Sequence, residues 1–244
     1  MKQIALVTGA AGGLGKQICE ILAEKGFQIV ALDLMETNAL KQNLKSLGDS
    51  LELAIGGVDF SKPETIIESL GSFLPNKEWT VLVNNAGVSV GGKLLDGSLA
   101  HWNLMMNVNL TAPFVLSQAF AKNSQENNIK GSIVNISSMV GVIGAKKPGY
   151  AASKAGLLGL TKAIAMQAGP NIRCNAIYPG AMDTPMTADW DAETRKKIEA
   201  GTPIGRIADP REIAQIVAFL ADDQQSSYLT GAVINATGGQ YLGQ

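Results

Sequence analysis

Short apolar segments rich in β-branched residues recur along the whole chain. Most of them are continuously apolar and do not alternate between apolar and polar positions, which indicates strands buried on both faces. This pattern is typical of a parallel sheet that is covered by helices. The predicted strands are Ile4–Val7, Gln28–Leu32, Leu51–Ile55, Thr80–Val83, Ser132–Ile136, Ile172–Ile177 and Ala232–Asn235.

Segments with helical periodicity lie between these strands. Because strand and helix alternate almost throughout, we predict an α/β fold: a doubly wound parallel sheet of about seven strands with helices on both faces. No Gly/Ser-rich or Pro-rich linker and no fixed-period repeat divides the chain, so residues 1–244 are predicted to form a single domain. The predicted helices are Leu14–Lys25, Pro63–Phe73, Leu99–Ala121, Ala151–Gln167 and Pro210–Leu220.

The least regular stretch of the sequence covers about residues 181–205. It contains Pro185, Gly201, Pro203 and the charged run Asp189–Lys197, and it resembles an insertion with a short helix. It follows a predicted strand, and in doubly wound sheets ligands bind at the carboxyl ends of the strands. We interpret it as a substrate lid, with a passive surface loop as the alternative.

A glycine-rich turn connects the first predicted strand to the first predicted helix. Gly9, Gly12, Gly13 and Gly15 allow the backbone to turn tightly and to approach a pyrophosphate without an intervening Cβ. The free N–H groups and the dipole at the start of a helix favour the same anion. The spacing departs from G-x-G-x-x-G, because the residue three past Gly15 is Ile18. The position between strand and helix nevertheless predicts a dinucleotide-phosphate site.

Asp33 ends the second predicted strand, 18 residues after Gly15. A carboxylate at this position can accept hydrogen bonds from both hydroxyls of the adenosine ribose, and it would repel the additional phosphate of NADP. Neither Leu34 nor the glycine turn supplies an arginine for that phosphate. The sequence therefore favours NAD over NADP, with a merely solvated aspartate at a strand end as the alternative.

Composition and charge narrow the function classes further. The chain has 244 residues, 46% of them hydrophobic, and a net charge of −1, so it lacks the basic surface that nucleic acid or an anionic membrane attracts. No apolar run approaches the ~20 residues of a membrane-spanning helix, and the amino terminus does not resemble a signal peptide. We expect a cytoplasmic protein that binds neither nucleic acid nor membrane.

The cysteines and the histidine do not form a metal-binding pattern. Cys19 and Cys174 lie far apart, and His101 is the single histidine, so we predict no metal site. Each cysteine is interpreted as a small buried hydrophobe. A Ser-His-Asp hydrolase would need His101, which lies beside Trp102 in a predicted helix, and a triad is difficult to orient there.

Several motifs, in order and spacing, resemble those of the short-chain dehydrogenase/reductase family. They begin with Thr8-Gly9-x-x-x-Gly13-x-Gly15 and extend through nearly the whole sequence. The resemblance implies a Rossmann-type fold and an oxidoreductase that moves a hydride between a nicotinamide and an alcohol or carbonyl group. The further motifs are Asn84-Asn85-Ala86-Gly87, Asn107-Val108-Asn109-Leu110, Ile136-Ser137-Ser138, Tyr150-Ala151-Ala152-Ser153-Lys154, Tyr178-Pro179-Gly180, Thr184, Leu229-Thr230-Gly231 and Gly238-Gly239.

The resemblance assigns the catalytic roles to Asn109, Ser138, Tyr150 and Lys154. Tyr150 and Lys154 are four residues apart, so that they share one face of a helix. A phenol with a pKa of ~10 is a poor base near neutrality, and a neighbouring ammonium together with a cationic nicotinamide would lower that pKa. Tyr150 would exchange a proton with the substrate oxygen, and Ser138 would hydrogen-bond that oxygen. Lys154 would also hold the nicotinamide ribose, and Asn109 would position water near Lys154.

The choice of serine has an alternative. Ser138 is twelve residues before Tyr150, an interval one residue shorter than is common in the family. Ser137 would restore the common interval, but the Ser-Ser-Met-Val-Gly pattern aligns better with Ser138. We assign Ser138 and keep Ser137 as the alternative.

The resemblance also implies a set of cofactor contacts. Asp59 would contact the adenine, Asn85 and Gly87 would line the adenosine side, and Thr184 would bind the carboxamide. The predicted cofactor-binding residues are Gly9, Gly13, Leu14, Gly15, Asp33, Asp59, Asn85, Gly87, Tyr150, Lys154 and Thr184.

Together these features predict an NAD(H)-dependent dehydrogenase or reductase that acts on a small secondary alcohol or ketone. The sequence is most similar to the 3-oxoacyl-carrier-protein reductase subgroup, whose members usually use NADPH and dock an acidic carrier protein, and this activity is the first alternative. Asp33 and the scarcity of arginine around Asn123–Lys130 count against it. A dinucleotide sensor or scaffold without turnover is the second alternative, although such proteins typically lose the tyrosine or lysine. The resemblance further implies a homotetramer, or a dimer, that pairs the helices around Leu99–Ala121 and Ala151–Gln167 across subunits.

Overall fold

Seven parallel strands form one sheet in the computed structural model, which describes residues 3–71 and 79–243. The strands are β1 (Ile4–Thr8), β2 (Gln28–Leu32), β3 (Leu51–Ile55), β4 (Trp79–Asn84), β5 (Gly131–Ile136), β6 (Ile172–Pro179) and β7 (Val233–Ala236). Their order across the sheet is β3-β2-β1-β4-β5-β6-β7. The chain reverses its direction of travel between β1 and β4, which makes this the point where a doubly wound sheet opens a ligand crevice. The predicted fold class is confirmed.

Helices cover both faces of the sheet. They are α1 (Gly13–Glu24), α2 (Thr37–Asn43), α3 (Pro63–Leu70), α4 (Leu99–Met106), α5 (Ala112–Asn127), α6 (Val140–Ile143), α7 (Pro148–Ala168), α8 (Ala192–Ala200), α9 (Pro210–Ala221) and α10 (Asp223–Ser226). A π-helical segment, Asn107–Thr111, joins α4 to α5. None of the helices in the described ranges is both long and apolar enough to cross a bilayer.

Two hydrophobic cores follow from the continuous apolar character of the strands. Side chains alternate between the faces of a strand, so Ala5 and Val7 of β1 pack beneath α1 and α9, while Leu6 packs on the opposite face beneath α3 and α5. The sheet is therefore buried on both sides, as a parallel sheet requires. In such sheets ligands bind at the carboxyl edge of the strands.

The predicted helix Leu99–Ala121 is helical throughout and continues to Asn127, but a π-helical segment replaces the regular α-helix at Asn107–Thr111. Pro113 lies in the first turn of α5 and has no N–H to donate to the carbonyl of Asn109, four residues earlier. A second difference concerns the helix predicted to reach Phe73. Gly71 adopts a φ of 48° and ends α3 after Leu70, and Phe73 lies outside the described residues.

Candidate active site

The glycine turn after β1 is shaped by close backbone contacts. Gly9 has a φ of +64°, and a Cβ on it would lie 2.9 Å from the Cα of Ala86. A Cβ on Gly15 would collide with the carbonyl oxygen of Gly9. Helix α1 then begins at Gly13 without a side-chain cap, so its first N–H groups remain available to an anion.

Asn85 holds this turn in place through its side chain. Its Nδ2 donates to the carbonyl oxygens of Thr8 (2.9 Å) and Gly9 (3.1 Å). In return, the hydroxyl of Thr8 accepts hydrogen bonds of 3.0 Å from the backbone N–H groups of Asn85 and Ala86. Both donors of the Asn85 amide are thus used within the protein. Asn85 lines the cavity, but the N–H groups of its side-chain amide hydrogen-bond to the backbone of the glycine turn.

Asp33 lies directly beside the same turn. Its Oδ2 accepts a hydrogen bond of 2.9 Å from the backbone N–H of Ala11, and its Oδ1 accepts one of 2.9 Å from Met35. Each carboxylate oxygen has a second lone pair for a further donor. Leu34, which is 64% exposed, also lines the cavity at this end. A fixed carboxylate and an apolar side chain therefore stand where an adenosine ribose would bind.

A cavity of about 640 Å³ runs along the carboxyl edge of the sheet, from Asp33 at one end to Tyr150 and Lys154 at the other. Its size is that of a typical ligand site. Among the described residues that line it, the single basic side chain is Lys154. The adenosine end therefore has a carboxylate and no lining cation.

The segment predicted as a lid contributes one wall of the cavity. Met182, Thr184, Pro185 and Met186 line it. A Cβ on Gly13 would lie 2.8 Å from Cδ of Pro185 and 3.2 Å from Cβ of Thr184, so the segment lies directly over the start of α1. Glycine at this position leaves a narrow cradle between the turn and the segment.

Tyr150 lines the reacting end of the cavity, and Ser138 lies beside it. Ser138 follows β5, Tyr150 lies in the first turn of α7, and the Ser138 side chain is close enough to the phenol to lower its pKa. Ser137 is directed elsewhere, because its buried hydroxyl donates to the backbone carbonyl of Lys154 at 2.8 Å. Of the two adjacent serines, the structure brings Ser138 to the tyrosine.

Lys154 is buried beneath this pair. Its Nζ donates to the carbonyl oxygen of Ile136 at 2.8 Å and lies 6.0 Å from the centre of the Tyr150 ring. Burial lowers the pKa of Lys154 from 10.5 to about 8. Burial also raises the pKa of Tyr150, and the side chain of Ser138 only partly opposes this rise. The expectation of a lowered phenol pKa included a bound cationic nicotinamide, and the protein groups alone do not lower it.

Asn109 lies in the π-helical segment, is fully buried and hydrogen-bonds to two neighbouring parts of the site. Its Oδ1 accepts from the N–H of Val88 (2.8 Å), and its Nδ2 donates to the carbonyl of Val88 (2.9 Å) and to Oγ of Ser153 (3.0 Å). The hydroxyl of Ser153 in turn donates to the carbonyl oxygen of Tyr150 at 2.9 Å. Asn109 therefore couples the segment after β4 to α7.

Gly87 lies at the catalytic end and not at the adenosine side, which corrects the expectation for this residue. A Cβ on it would be 3.2 Å from Nζ of Lys154 and 3.4 Å from Oδ1 of Asn109. Because Gly87 has no side chain, Nζ of Lys154 and Oδ1 of Asn109 both border the small space beside it. Its position directly after the Asn84-Asn85-Ala86 run gave no indication of this contact.

Asp59 and the adjacent Phe60 both line the cavity. Its Oδ1 accepts hydrogen bonds from the N–H (3.0 Å) and the hydroxyl (2.6 Å) of Ser61. Lys62 lies 3.4 Å from its other oxygen, and the hydrogen bonds from Ser61 hold the pKa of the Asp59 carboxyl below its usual range. Sequence reasoning missed several apolar lining residues, namely Leu34, Val88, Met182 and Met186.

The residues present fit a nicotinamide dinucleotide. The uncapped helix start and the cradle at Gly13 suit a pyrophosphate, Asp33 suits a ribose, and the Ser138–Tyr150 pair suits an alcohol or carbonyl oxygen. This combination defines a nicotinamide-dependent oxidoreductase.

Comparison with known proteins identifies the family. A sequence profile described as "Enoyl-(Acyl carrier protein) reductase" matches residues 9–240. The 3-oxoacyl-[acyl-carrier-protein] reductase of Vibrio cholerae is 36% identical over 98% of both chains. The chain belongs to the short-chain dehydrogenase/reductase family, in the subgroup of these reductases. It transfers a hydride between a nicotinamide cofactor and a secondary alcohol or ketone.

Two solved structures are similar over nearly the full length. One is 4-hydroxyisoleucine dehydrogenase with NADH, with a TM-score of 0.90, 31% identity and coverage of 100% of both chains. The other, from Agrobacterium tumefaciens with bound NADP, is assigned as a 2-deoxy-D-gluconate 3-dehydrogenase. It has a TM-score of 0.87 and 32% identity and covers 98% of this chain and 96% of that one. The two neighbours hold different dinucleotides.

Proposed function

We propose that this oxidoreductase uses NAD(H) in preference to NADP(H). The observation that carries the proposal is the carboxylate of Asp33, which two backbone N–H groups hold at the adenosine end of the cavity. The additional phosphate of NADP would approach this fixed negative charge, and no described basic residue lines that end of the cavity. The ribose hydroxyls of NAD would instead donate to it.

We further propose that Tyr150 is the general acid and base of the reaction. A bound nicotinamide would supply the hydride chemistry, accepting hydride from the alcohol carbon and donating it to the carbonyl carbon in the reverse direction. Tyr150 takes the proton from the alcohol oxygen, or gives it to the carbonyl oxygen in the reverse direction. Ser138 donates a hydrogen bond to the same oxygen and stabilises its developing negative charge.

The raised pKa of Tyr150 bears on the direction of proton transfer. The protein alone keeps the phenol protonated at neutral pH, which suits donation of the proton to a carbonyl. Oxidation of an alcohol needs the phenolate, and the positive charge of the oxidised nicotinamide together with the Lys154 ammonium would favour it. Lys154 and Asn109 would relay the proton through the space beside Gly87.

A direct test measures turnover of secondary alcohols with NAD⁺ and of the corresponding ketones with NADH. We expect activity in the parent protein and its near-complete loss in Tyr150→Phe, with NADH affinity retained because the ring remains. Retained turnover in Tyr150→Phe would contradict the assignment. Absence of turnover in the parent protein despite NADH binding would favour the dinucleotide-sensor alternative.

The identity to the Vibrio cholerae reductase favours a second candidate, NADPH-dependent reduction of 3-oxoacyl groups on a carrier protein. The two structural neighbours carry names of free hydroxy acids, which supports a small-molecule substrate instead. Turnover of an acetoacetyl thioester with NADPH at a rate above that with NADH would favour the second candidate.

The proposed assembly is a homotetramer in which α5 and α7 pair across subunits. A groove of about 580 Å³ between them is supporting evidence, together with the exposed side chains of Phe114 (48%) and Met166 (88%). Light scattering of Met166→Glu should give a smaller species than the parent protein. A cytoplasmic location, and opening and closing of residues 181–205 as a lid, remain predictions.

A further inference from the structure

Lys147 is a partly buried cation for which the described residues supply no carboxylate partner. It immediately precedes α7, and its Nζ donates to the carbonyl oxygen of Ser89 at 3.1 Å. An ammonium has three donors, and this neutral acceptor satisfies one of them. The ion pairs among the described residues all involve other cations. Among the described residues, the other two donors of Lys147 have no hydrogen-bond acceptor and its charge has no carboxylate partner.

The position of Lys147 is unfavourable for the helix itself. Helix α7 has 21 residues, its first turn contains no acidic residue, and Lys146 and Lys147 stand directly before it. The amino-terminal end of a helix carries partial positive charge and favours anions, so two lysines there repel it. Lys146 is exposed, so solvent screens its charge, whereas Lys147 is partly covered. An unfavourable local choice of this kind is expected where function requires it.

Lys147 is connected to the reacting groups from two sides. Tyr150 follows it by three residues at the start of the same helix. Its acceptor, Ser89, belongs to the segment after β4 in which Gly87 faces Lys154 and Val88 is held by Asn109. Val88, which precedes Ser89, and Tyr150 both line the cavity, so the Lys147–Ser89 contact lies at the margin of its reacting end.

We propose that Lys147 binds a carboxylate of the substrate, and that the substrate is a short hydroxy acid, oxidised to the oxo acid or formed from it. The inference rests on the proposed function of the Tyr150 site. Lys147 is the last residue before α7 and Tyr150 lies in the first turn of that helix, which suits a carboxylate only a few carbons from the reacting carbon. In the oxidation the carbon–hydrogen bond supplies the hydride, the hydroxyl proton passes to Tyr150, and the carboxylate is unchanged.

The positive charge of Lys147 should favour free acids over thioesters of the same chain length. A thioester or an ester has no negative charge at the position of the carboxylate, so it gains nothing from Lys147. A hydrogen bond to a charged group contributes about 1.5–3 kcal/mol, which corresponds to about a 10- to 100-fold preference for the acid.

The test is a calorimetric titration of the protein–NADH complex with C3–C5 hydroxy and oxo carboxylates and with the carboxamide of each. If the complex does not form with NADH, the same titrations are made with NADPH. Lys147→Gln retains a neutral donor for Ser89 and removes the charge, Lys147→Arg retains the charge, and Lys146→Gln is the matched control. The affinity of each variant for the dinucleotide reports correct folding.

In the parent protein and in Lys146→Gln we expect at least one carboxylate to bind about 10- to 100-fold tighter than its amide. This preference should disappear in Lys147→Gln and largely persist in Lys147→Arg. Equal affinities of acids and amides in the parent protein, or an unchanged preference in Lys147→Gln, would overturn the inference while leaving the hydride-transfer function intact. A protein that binds neither dinucleotide, or whose turnover survives Tyr150→Phe, would instead refute the proposed function.

Discussion

The carboxylate of Asp33 accepts a hydrogen bond of 2.9 Å from the backbone N–H of Ala11, and this contact ties the end of β2 to the glycine turn after β1. The residue to which we assign the preference between the two dinucleotides is therefore also part of the structure that holds the glycine turn. Because Met35 donates to its other oxygen, the carboxylate cannot rotate away from an approaching phosphate without losing a hydrogen bond.

Removing the charge of Asp33 should reduce the preference for NADH. Asp33→Asn keeps an acceptor oxygen and nearly the same shape, but it no longer repels a phosphate. We expect NADH to bind about 10-fold more weakly, since a hydrogen bond to a charged acceptor contributes about 1.5–3 kcal/mol, and NADPH to bind more tightly than in the parent protein. Calorimetry with both dinucleotides measures the change.

Glu36 offers a matched control. Its exposed carboxylate accepts hydrogen bonds from Asn38 and Ala39 at the start of α2 and does not line the cavity. Glu36→Gln should leave the ratio of the two affinities unchanged. An equal shift in both variants would attribute the preference to the general charge of this region and not to Asp33.

Substitution of Ser138 should lower activity, whereas substitution of Ser137 should lower stability. Removal of one donor to a developing oxyanion typically lowers kcat by about 10²–10³, and this is the loss expected for Ser138→Ala. Ser137→Ala removes a buried hydrogen bond to the carbonyl of Lys154, so about 1 kcal/mol of unfolding free energy should be lost with most of the turnover retained. Steady-state kinetics and denaturant unfolding measure the two effects, and the reverse pattern would assign the catalytic role to Ser137.

Burial of the Lys154 ammonium should reduce the free energy of unfolding at neutral pH. Its pKa falls from 10.5 in the unfolded chain to about 8 in the folded protein, so the unfolded state binds more protons between these values and stability rises with pH across that window. Below pH 8 the full penalty is present, about 3 kcal/mol. Lys154→Met should therefore be more stable than the parent protein at pH 7 by about 2 kcal/mol, after about 1 kcal/mol is subtracted for the lost hydrogen bond to Ile136.

Denaturant unfolding at several pH values tests this, and the stability difference should shrink as the pH rises toward 10.5. Lys162 is an exposed lysine on the same helix and provides the control. Lys162→Met should show no such pH-dependent gain. If the stability gain of Lys154→Met over the parent protein were smaller at pH 7 than at high pH, this would contradict the destabilising effect of the buried ammonium.

Two glycines of the chain should respond oppositely to alanine. At Gly15 the new Cβ would collide with the Gly9 carbonyl, so the turn must shift, and we expect a loss of about 1–3 kcal/mol and weaker NADH binding. At Gly159 in α7 nothing in the same subunit lies within 4 Å of the new Cβ, and alanine should stabilise the helix of an isolated subunit by about 0.5–1 kcal/mol. Thermal unfolding and NADH titration check both. Unimpaired binding in Gly15→Ala would show that the turn does not hold the pyrophosphate.

The strands were predictable because a parallel sheet buried on both sides needs uninterrupted apolar runs, and β2 and β3 have the predicted bounds. The π-helical segment was not predictable from periodicity, since it coincides with the hydrogen bonds of buried Asn109 to Val88, a contact between segments distant in the sequence. Tyr150 and Lys154 could be placed from their spacing. The raised pKa of Tyr150 could not, because burial depends on the surrounding elements.

The orientation of neighbouring side chains also lay beyond the sequence. Ser137 and Ser138 are adjacent and chemically identical, and only the fold shows that the first turns toward the backbone of α7 and the second toward Tyr150. Gly87 was placed at the adenosine side because a motif gives order along the chain and not the distance to Lys154.

The most direct test of the account is a calorimetric titration of the purified protein with NADH and, separately, with NADPH. We expect NADH to bind about 10-fold tighter or more, because the Asp33 carboxylate accepts from the ribose hydroxyls and repels the additional phosphate. Tighter binding of NADPH would contradict the role of Asp33 and favour the carrier-protein reductase activity.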